Sequence, residues 1–95
     1  PTVLFIRGWQ LFFYTDECYL YIKVDDQLYR VTWQMCSPKL MYATHDERSF
    51  FRISPSGYGI HWPLVDEDLA INPLLKIAEK LIALPIMATE AVNSV

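Results

Sequence analysis

Few side chains in this chain could do chemistry, and they are scattered. His61 sits in the run Tyr58-Gly59-Ile60-His61-Trp62-Pro63, and the acids Asp66-Glu67-Asp68 follow shortly after. An imidazole near carboxylates is the raw material of a general-base pair or of a hard-cation site, since imidazole titrates near neutrality and such ions favour carboxylate oxygens. A hydrolytic or metal-dependent enzyme built here would use His61 with Asp66 or Asp68. The spacing supports that reading weakly. No glycine-spaced calcium loop surrounds the acids, and in extended backbone Asp66 and Asp68 share a side while Glu67 faces away. Capping of backbone N–H groups or a solvated edge is the default for these acids, and an acidic docking surface for a basic partner is the sharper option. His61, between Ile60 and Trp62, reads as a hydrogen-bonded structural residue of a strand. Trp62 reads as core packing, with an aromatic anchor at a protein interface as its alternative.

The remaining reactive groups point to no reaction. Cys18 and Cys36 lack the paired spacing of a structural zinc site, and the two histidines, His45 and His61, are far apart. Both cysteines are expected to be free, buried thiols. His45-Asp46 opens a helix, where an acid complements the dipole. Ser54 and Ser56 have no nucleophile-elbow pattern around them, and Gly57-x-Gly59 lacks the third glycine of a phosphate loop. No metal and no cofactor is expected. Eight Lys and Arg against eleven Asp and Glu give a net charge of −3. The cations are dispersed, with Arg48 and Arg52 read as a solvated pair, so the basic stripe of a nucleic-acid binder is missing.

The elements that must position these residues follow from pattern. With 95 residues, 53% of them apolar and 20% charged, the chain suits one globular domain over residues 1–95. No apolar run approaches the roughly 18 residues of a membrane span, and the opening lacks a secretory cleavage pattern. A soluble, cytoplasmic domain is expected. Residues 3–6 and 9–14 are apolar and aromatic runs. Cys18 to Val24 alternates Tyr19, Tyr21 and Lys23 with Leu20, Ile22 and Val24, so the aliphatic face is core and the tyrosine face half exposed. Asp25-Asp26 marks a turn, and Leu28 to Trp33 resumes the strand, giving a hairpin over residues 18–34. Ser37-Pro38 breaks the pattern and leads one helical turn at Leu40–Tyr42. Thr44 and Glu47 have capping-box spacing, which predicts a helix over 45–51 pinned by Phe50 or Phe51. Phe51–Ile53 and Tyr58–Trp62 read as strands around a turn at Ser54–Gly57. Asn72-Pro73 reads as a helix N-cap and first position. Leu74, Leu75, Ile77, Ala78, Leu81 and Ile82 recur at the helical period, which predicts a longer helix over 73–84, ended by Pro85.

Several of these motifs are familiar together. Ser37-Pro38-Lys39-Leu40, Tyr42-Ala43-Thr44, Glu47-Arg48, Tyr58-Gly59-Ile60-His61-Trp62-Pro63, Asp66-Glu67-Asp68-Leu69 and Leu74-Leu75 resemble the bacterial family called domain of unknown function 2442, over about residues 18–77. Asp25-Asp26-Gln27 departs from it, where a glycine-bearing turn is expected. The head, Pro1 to Ile6 with Gly8-Trp9 and Phe12-Phe13-Tyr14, is similar to a second family, domain of unknown function 4160. That family's paired histidines are missing, since Cys18 to Val24 stands in their place, so the head is expected to serve as a hairpin added to the first family's sheet. Members of the two families occur as neighbours, and the resemblance implies a toxin–antitoxin-like pairing.

The expected fold is α+β: an antiparallel sheet of four to six short strands, a short helix near 45–51 and a longer one near 73–84 across one face. The expected function is that of a non-enzymatic protein-interaction module, which by resemblance is the antitoxin-like or regulatory member of a two-gene pair. Tyr58, His61, Trp62, Asp66, Glu67 and Asp68 would lie at its binding edge. The alternatives are the enzyme built on His61 with Asp66 or Asp68, and a structural homodimer using the aromatic sheet face or an open strand edge. The partner is a protein or a second copy, with no membrane and, for this chain by itself, no nucleic acid.

Overall fold

Alternating apolar and polar residues in the first third of the chain become consecutive strands. The computed structural model describes residues 2–6 and 8–81, with side chains from Gly8 onward. Strands β1 (Thr2–Ile6), β2 (Trp9–Thr15), β3 (Tyr19–Val24) and β4 (Gln27–Thr32) form an antiparallel meander. Leu20 and Ile22 are fully buried while Tyr19 and Tyr21 are half-buried on the other face, as the alternation requires. The turn between β3 and β4 meets the missing glycine in another way. Asp25 adopts φ +52°, a region that favours glycine but that aspartate tolerates when its short side chain bonds locally. The Asp25 carboxylate accepts the Gln10 N–H at 2.9 Å, and the Asp25 N–H donates to the Gln10 carbonyl at 2.9 Å.

The preceding turn hangs on Asp16. Its Oδ1 accepts the N–H groups of Cys18 at 2.8 Å and Tyr19 at 2.7 Å, and its Oδ2 accepts the Tyr21 hydroxyl at 3.0 Å. Slight desolvation works against the charged carboxylate, but these three donors and the nearby Arg30 outweigh it and hold its pKa below the ordinary value.

Three short helices then redirect the chain, each started by a side-chain cap. They are α1 (Trp33–Cys36), capped by Thr32, α2 (Pro38–Met41), capped by Ser37, and α3 (His45–Ser49), capped by Thr44. The Thr44–Glu47 capping box is complete, at 3.1 and 2.8 Å, and the helix ends slightly short of the predicted span. Phe51 pins it and Phe50 stays exposed. Trp33 begins a helix and does not extend the strand, because the Thr32 hydroxyl accepts the Met35 N–H and turns the chain there.

The chain then builds a second antiparallel sheet from β5 (Arg52–Ile53), β6 (Gly59–Trp62) and β7 (Glu67–Ala70), in that order. The strands thus divide into two sheets where one was expected, since the helices separate the first four strands from the next three. Helix α4 (Ile71–Ile77) and strand β8 (Glu79–Leu81) complete the described chain. The longer helix predicted over 73–84 is not formed. The helix starts after Ala70, with no side-chain cap from Asn72, and stops at Ile77. Residues 79–81 pair with Leu28–Arg30, so β8 closes the large sheet in the order β1-β2-β3-β4-β8. The open edge of β4 needed backbone partners, and the register is fixed by Arg30 Nε on Glu79 Oε1 at 2.7 Å and Gln27 Nε2 on the Leu81 carbonyl at 2.9 Å. The rest of that predicted helix, and the tail after Pro85, lie outside the described residues. Among the described residues no helix is long and apolar enough to cross a membrane.

The inner faces of the two sheets share one core. Leu11, Phe13, Leu20, Ile22 and Val31 come from the large sheet, Trp33 and Leu40 from the helices, Ile60 and Trp62 from the small sheet, and Ile71 and Leu74 from α4. Trp62 stands at the junction, meeting Trp33 edge-on at 6.3 Å and Phe51 at 6.3 Å. Its indole N–H donates to the Arg48 carbonyl at 2.9 Å, which ties it to α3. Arg48 is no solvated cation. Its guanidinium donates to the carbonyls of Leu40, Met41 and Glu17 and lies 5.3 Å from the Trp33 ring centre.

Two outcomes test this arrangement. Trp62→Ala should lower unfolding free energy by about 3–5 kcal/mol, and Trp62→Phe by about 1–3 kcal/mol, in urea titrations; a loss below about 1 kcal/mol for both would contradict the junction. For Asp16 the folded pKa is depressed, so its contribution is complete above about pH 3.9 and is lost as pH falls through the folded value. Asp16→Asn should therefore be less stable than the parent at pH 6, with the gap narrowing as the pH drops below 3.9; a gap independent of pH would contradict it.

Candidate interaction surface

The expected site residues divide between two faces of the small sheet. His61 and Asp68 are direct cross-strand partners on its outer face, with Arg52 opposite His61 on the other side. The His61 Nδ1 and Asp68 Oδ1 lie 2.8 Å apart, and the side chains are 38% and 74% exposed, so this pair is open to water and tied only loosely to the fold.

Asp66 and Asp68 do not share a strand face. Asp66 lies in the turn before β7 at φ +53°, and its backbone carbonyl accepts the Lys39 ammonium at 2.8 Å. Glu67 is opposite Trp62 and half-buried, and its carboxylate turns along the chain to accept the Asp68 N–H at 3.0 Å. β7 is an outer strand of its sheet, and a short, acidic strand with one N–H already occupied resists unwanted strand pairing. The default reading of the acids as an edge with local backbone contacts describes Glu67 well. Among the described residues no three His, Cys, Asp or Glu side chains converge as a metal would need.

Trp62 is fully buried, so of the six residues it supports the surface from beneath and does not line it. Tyr58 lies on the opposite side from His61. It is 46% exposed and stands at the mouth of a groove between the start of β2, the end of β3 and α4. Trp9, Leu11, Val24, Tyr58, Ile71 and Leu75 form its apolar lining, with Gly57 and Asn72, around a volume of about 290 Å³. Trp9 is 53% exposed, which is unusual for so large an apolar ring. Sequence reasoning placed Trp9 in a strand and missed the groove, because its walls come from three segments that are distant along the chain. An indole next to the turn at Gly8, where φ is +84°, is the one local hint.

The outer face of the large sheet is aromatic as well. Tyr14 and Tyr21 stack at 4.5 Å, Phe12 meets Tyr14 edge-on at 5.5 Å, and the Arg30 guanidinium lies 4.2 Å from the Tyr19 ring centre. These rings cover one another, which leaves less apolar area to offer.

With this geometry in hand, comparison with known proteins gives one answer. Residues 12–80 match the family described as protein of unknown function (DUF2442). The chain belongs to the DUF2442 family. No curated protein and no solved structure matches it. The DUF2442 match runs from Phe12 within β2 to Lys80 within β8, so it takes in the small sheet, β3, β4 and the groove walls apart from Trp9 and Leu11, and leaves β1 outside. It does not support the likeness of the head to the 4160 family, and it takes in Phe12–Tyr14, on which that likeness partly rested. The head does extend the sheet, since β1 pairs with β2 and β2 with β3.

The two thiols of this DUF2442 domain also differ from expectation. Cys18 is exposed, on the turn held by Asp16, whereas Cys36 is partly covered and burial pushes its pKa up to about 12, despite Arg48 nearby. Iodoacetamide at pH 8 should modify Cys18 alone in the folded protein, and both thiols in urea, by peptide mass mapping. Equal labelling of Cys36 without denaturant would contradict the packing of α1.

Proposed function

We propose that this domain is a non-enzymatic protein-interaction module, acting as the regulatory, antitoxin-like member of a two-protein pair. The observation that carries the reading is the pairing of exposed Trp9 with exposed Tyr58 at the mouth of an apolar groove. Large aromatic side chains at a concave surface are enriched where proteins bind one another. Charge gives the partner its sign. Arg48 is turned inward, Lys39 holds the Asp66 carbonyl and Arg30 is paired with Glu79, while the carboxylates of Asp66 and Asp68 are exposed. A chain of net charge −3 favours a basic partner and speeds their encounter. In this reading Tyr58 contacts the partner directly, His61, Asp66, Glu67 and Asp68 offer it a separate polar surface beyond β6, and Trp62 holds the strand that carries His61.

A second reading, a homodimer through the aromatic outer face of the large sheet, is favoured by the half-exposed Phe12, Tyr14, Tyr19 and Tyr21. Affinity capture from native lysate separates the two. One protein, basic in charge, should co-elute in stoichiometric amount, less of it with Tyr58→Ala, and with a yield that falls as salt rises. Light scattering that shows a dimer at micromolar concentration, with no protein captured, would overturn the proposal in favour of self-association.

A further inference from the structure

Arg52 on β5, His61 on β6 and Asp68 on β7 stand in one row across the outer face of the small sheet. We propose that His61 is a phosphorylation site. Its Nε2 takes a phosphoryl group from a donor that holds the group on nitrogen, and Arg52 receives the phosphoryl oxygens. The tautomer follows from Asp68. An ionised carboxylate only accepts hydrogen bonds, so Nδ1, 2.8 Å from Asp68 Oδ1, carries a proton. In the neutral ring that leaves the lone pair on Nε2, which no described residue engages. An imidazole held this way is a nucleophile of the kind that forms covalent intermediates. The approach is open as well. The His61 side chain is 38% exposed, and the next positions on that face are Gly59 and, opposite it, Ala70, which carry no bulk.

Arg52 supplies the second requirement. Its side chain is exposed and engages no described residue, whereas Arg30, Lys39 and Arg48 are each committed elsewhere in the fold. Directly opposed residues on neighbouring strands have Cβ atoms about 5 Å apart, so the guanidinium reaches a group carried by the imidazole. Its fork of N–H donors matches phosphate oxygens. Asp68 and Arg52 flank His61 from opposite strands, so the carboxylate takes Nδ1 and the guanidinium serves the other side of the ring. A metal ion would lack a third ligand here, since no three His, Cys, Asp or Glu side chains converge among the described residues. In the transfer the Nε2 lone pair forms a bond to phosphorus and the donor's P–N bond breaks. Its electron pair leaves with the donor nitrogen, as ammonia when the donor is phosphoramidate. The ring becomes a phosphorylated imidazolium, its charge held against Asp68 until the Nδ1 proton passes to water.

Incubation of the full 95-residue chain with phosphoramidate at pH 8 tests this, with peptides mapped by mass spectrometry in the absence of acid. His45 is the internal control, since it is the more exposed histidine and its ring has no described hydrogen-bond partner. His61 should be labelled roughly fivefold faster than His45. Proton–phosphorus NMR correlation should place the phosphorus on Nε2 alone, and Asp68→Ala should give a mixture of Nε2 and Nδ1 products. Arg52→Ala should slow labelling of His61 roughly threefold, with Arg52→Lys restoring part of the rate. All three residues are on the surface, and circular dichroism melts identify any variant that fails to fold. Labelling of His45 at the rate of His61 is adventitious chemistry of exposed imidazoles and overturns the proposal. So does a mixture of ring isomers in the parent chain, or a rate indifferent to Arg52→Ala.

Discussion

The fold depends on one buried indole. Neither sheet is large enough to bury a face by itself, and the small one has only three strands of at most four residues. Trp62 joins them by meeting Trp33 in a T-shaped contact and Phe51 at a tilt, while its N–H meets the Arg48 carbonyl. Each ring pair contributes about 0.5–1.5 kcal/mol beyond area burial. The same Arg48 whose carbonyl accepts that bond uses its side chain to satisfy the carbonyls of Leu40, Met41 and Glu17, so the ends of α2 and the β2–β3 turn are fixed to the joint. Breaking the junction would release both the sheet packing and these carbonyls.

That constraint decides what is left for contact. The Trp33 indole N–H is also used internally, on the Asp16 carbonyl at 3.1 Å. Two of the three tryptophans thus hold the molecule together, and Trp9 is left at the open start of β2. The aromatic ladder on the outer face of the large sheet looks like a competing surface, but its rings stack on one another and on Arg30. The groove is open at its mouth, where Trp9 and Tyr58 are 53% and 46% exposed, so its apolar walls are a candidate for contact. His61 and Asp68, on the far side of β6, extend the polar surface and do not enter the groove.

What could be read from the sequence was local. The β3–β4 hairpin follows from the alternation around Leu20 and Ile22, and α3 from the Thr44–Glu47 box, since both need only neighbours within a few residues. The 73–84 helix failed for the opposite reason. Leu74, Leu75, Ile77, Ala78 and Leu81 fit the helical period, yet the edge of β4, some fifty residues earlier, captured residues 79–81 as a strand and left Ile77 exposed. The acids were half legible. Their role at an edge was anticipated, but the left-handed backbone of Asp66, which turns it away from Asp68, is set by the β6–β7 connection and has no local signature. The groove was not legible at all, because Trp9, Val24 and Leu75 meet only when β8 and α4 have closed the fold.

Hydrogen exchange at the three indole nitrogens, followed by NMR, addresses the division of labour among these rings most directly. The account predicts that the Trp33 and Trp62 indole protons exchange only through global opening, while that of Trp9 exchanges orders of magnitude faster. A Trp9 proton protected as strongly as the other two, or a Trp62 proton lost at the rate of an exposed indole, would contradict it.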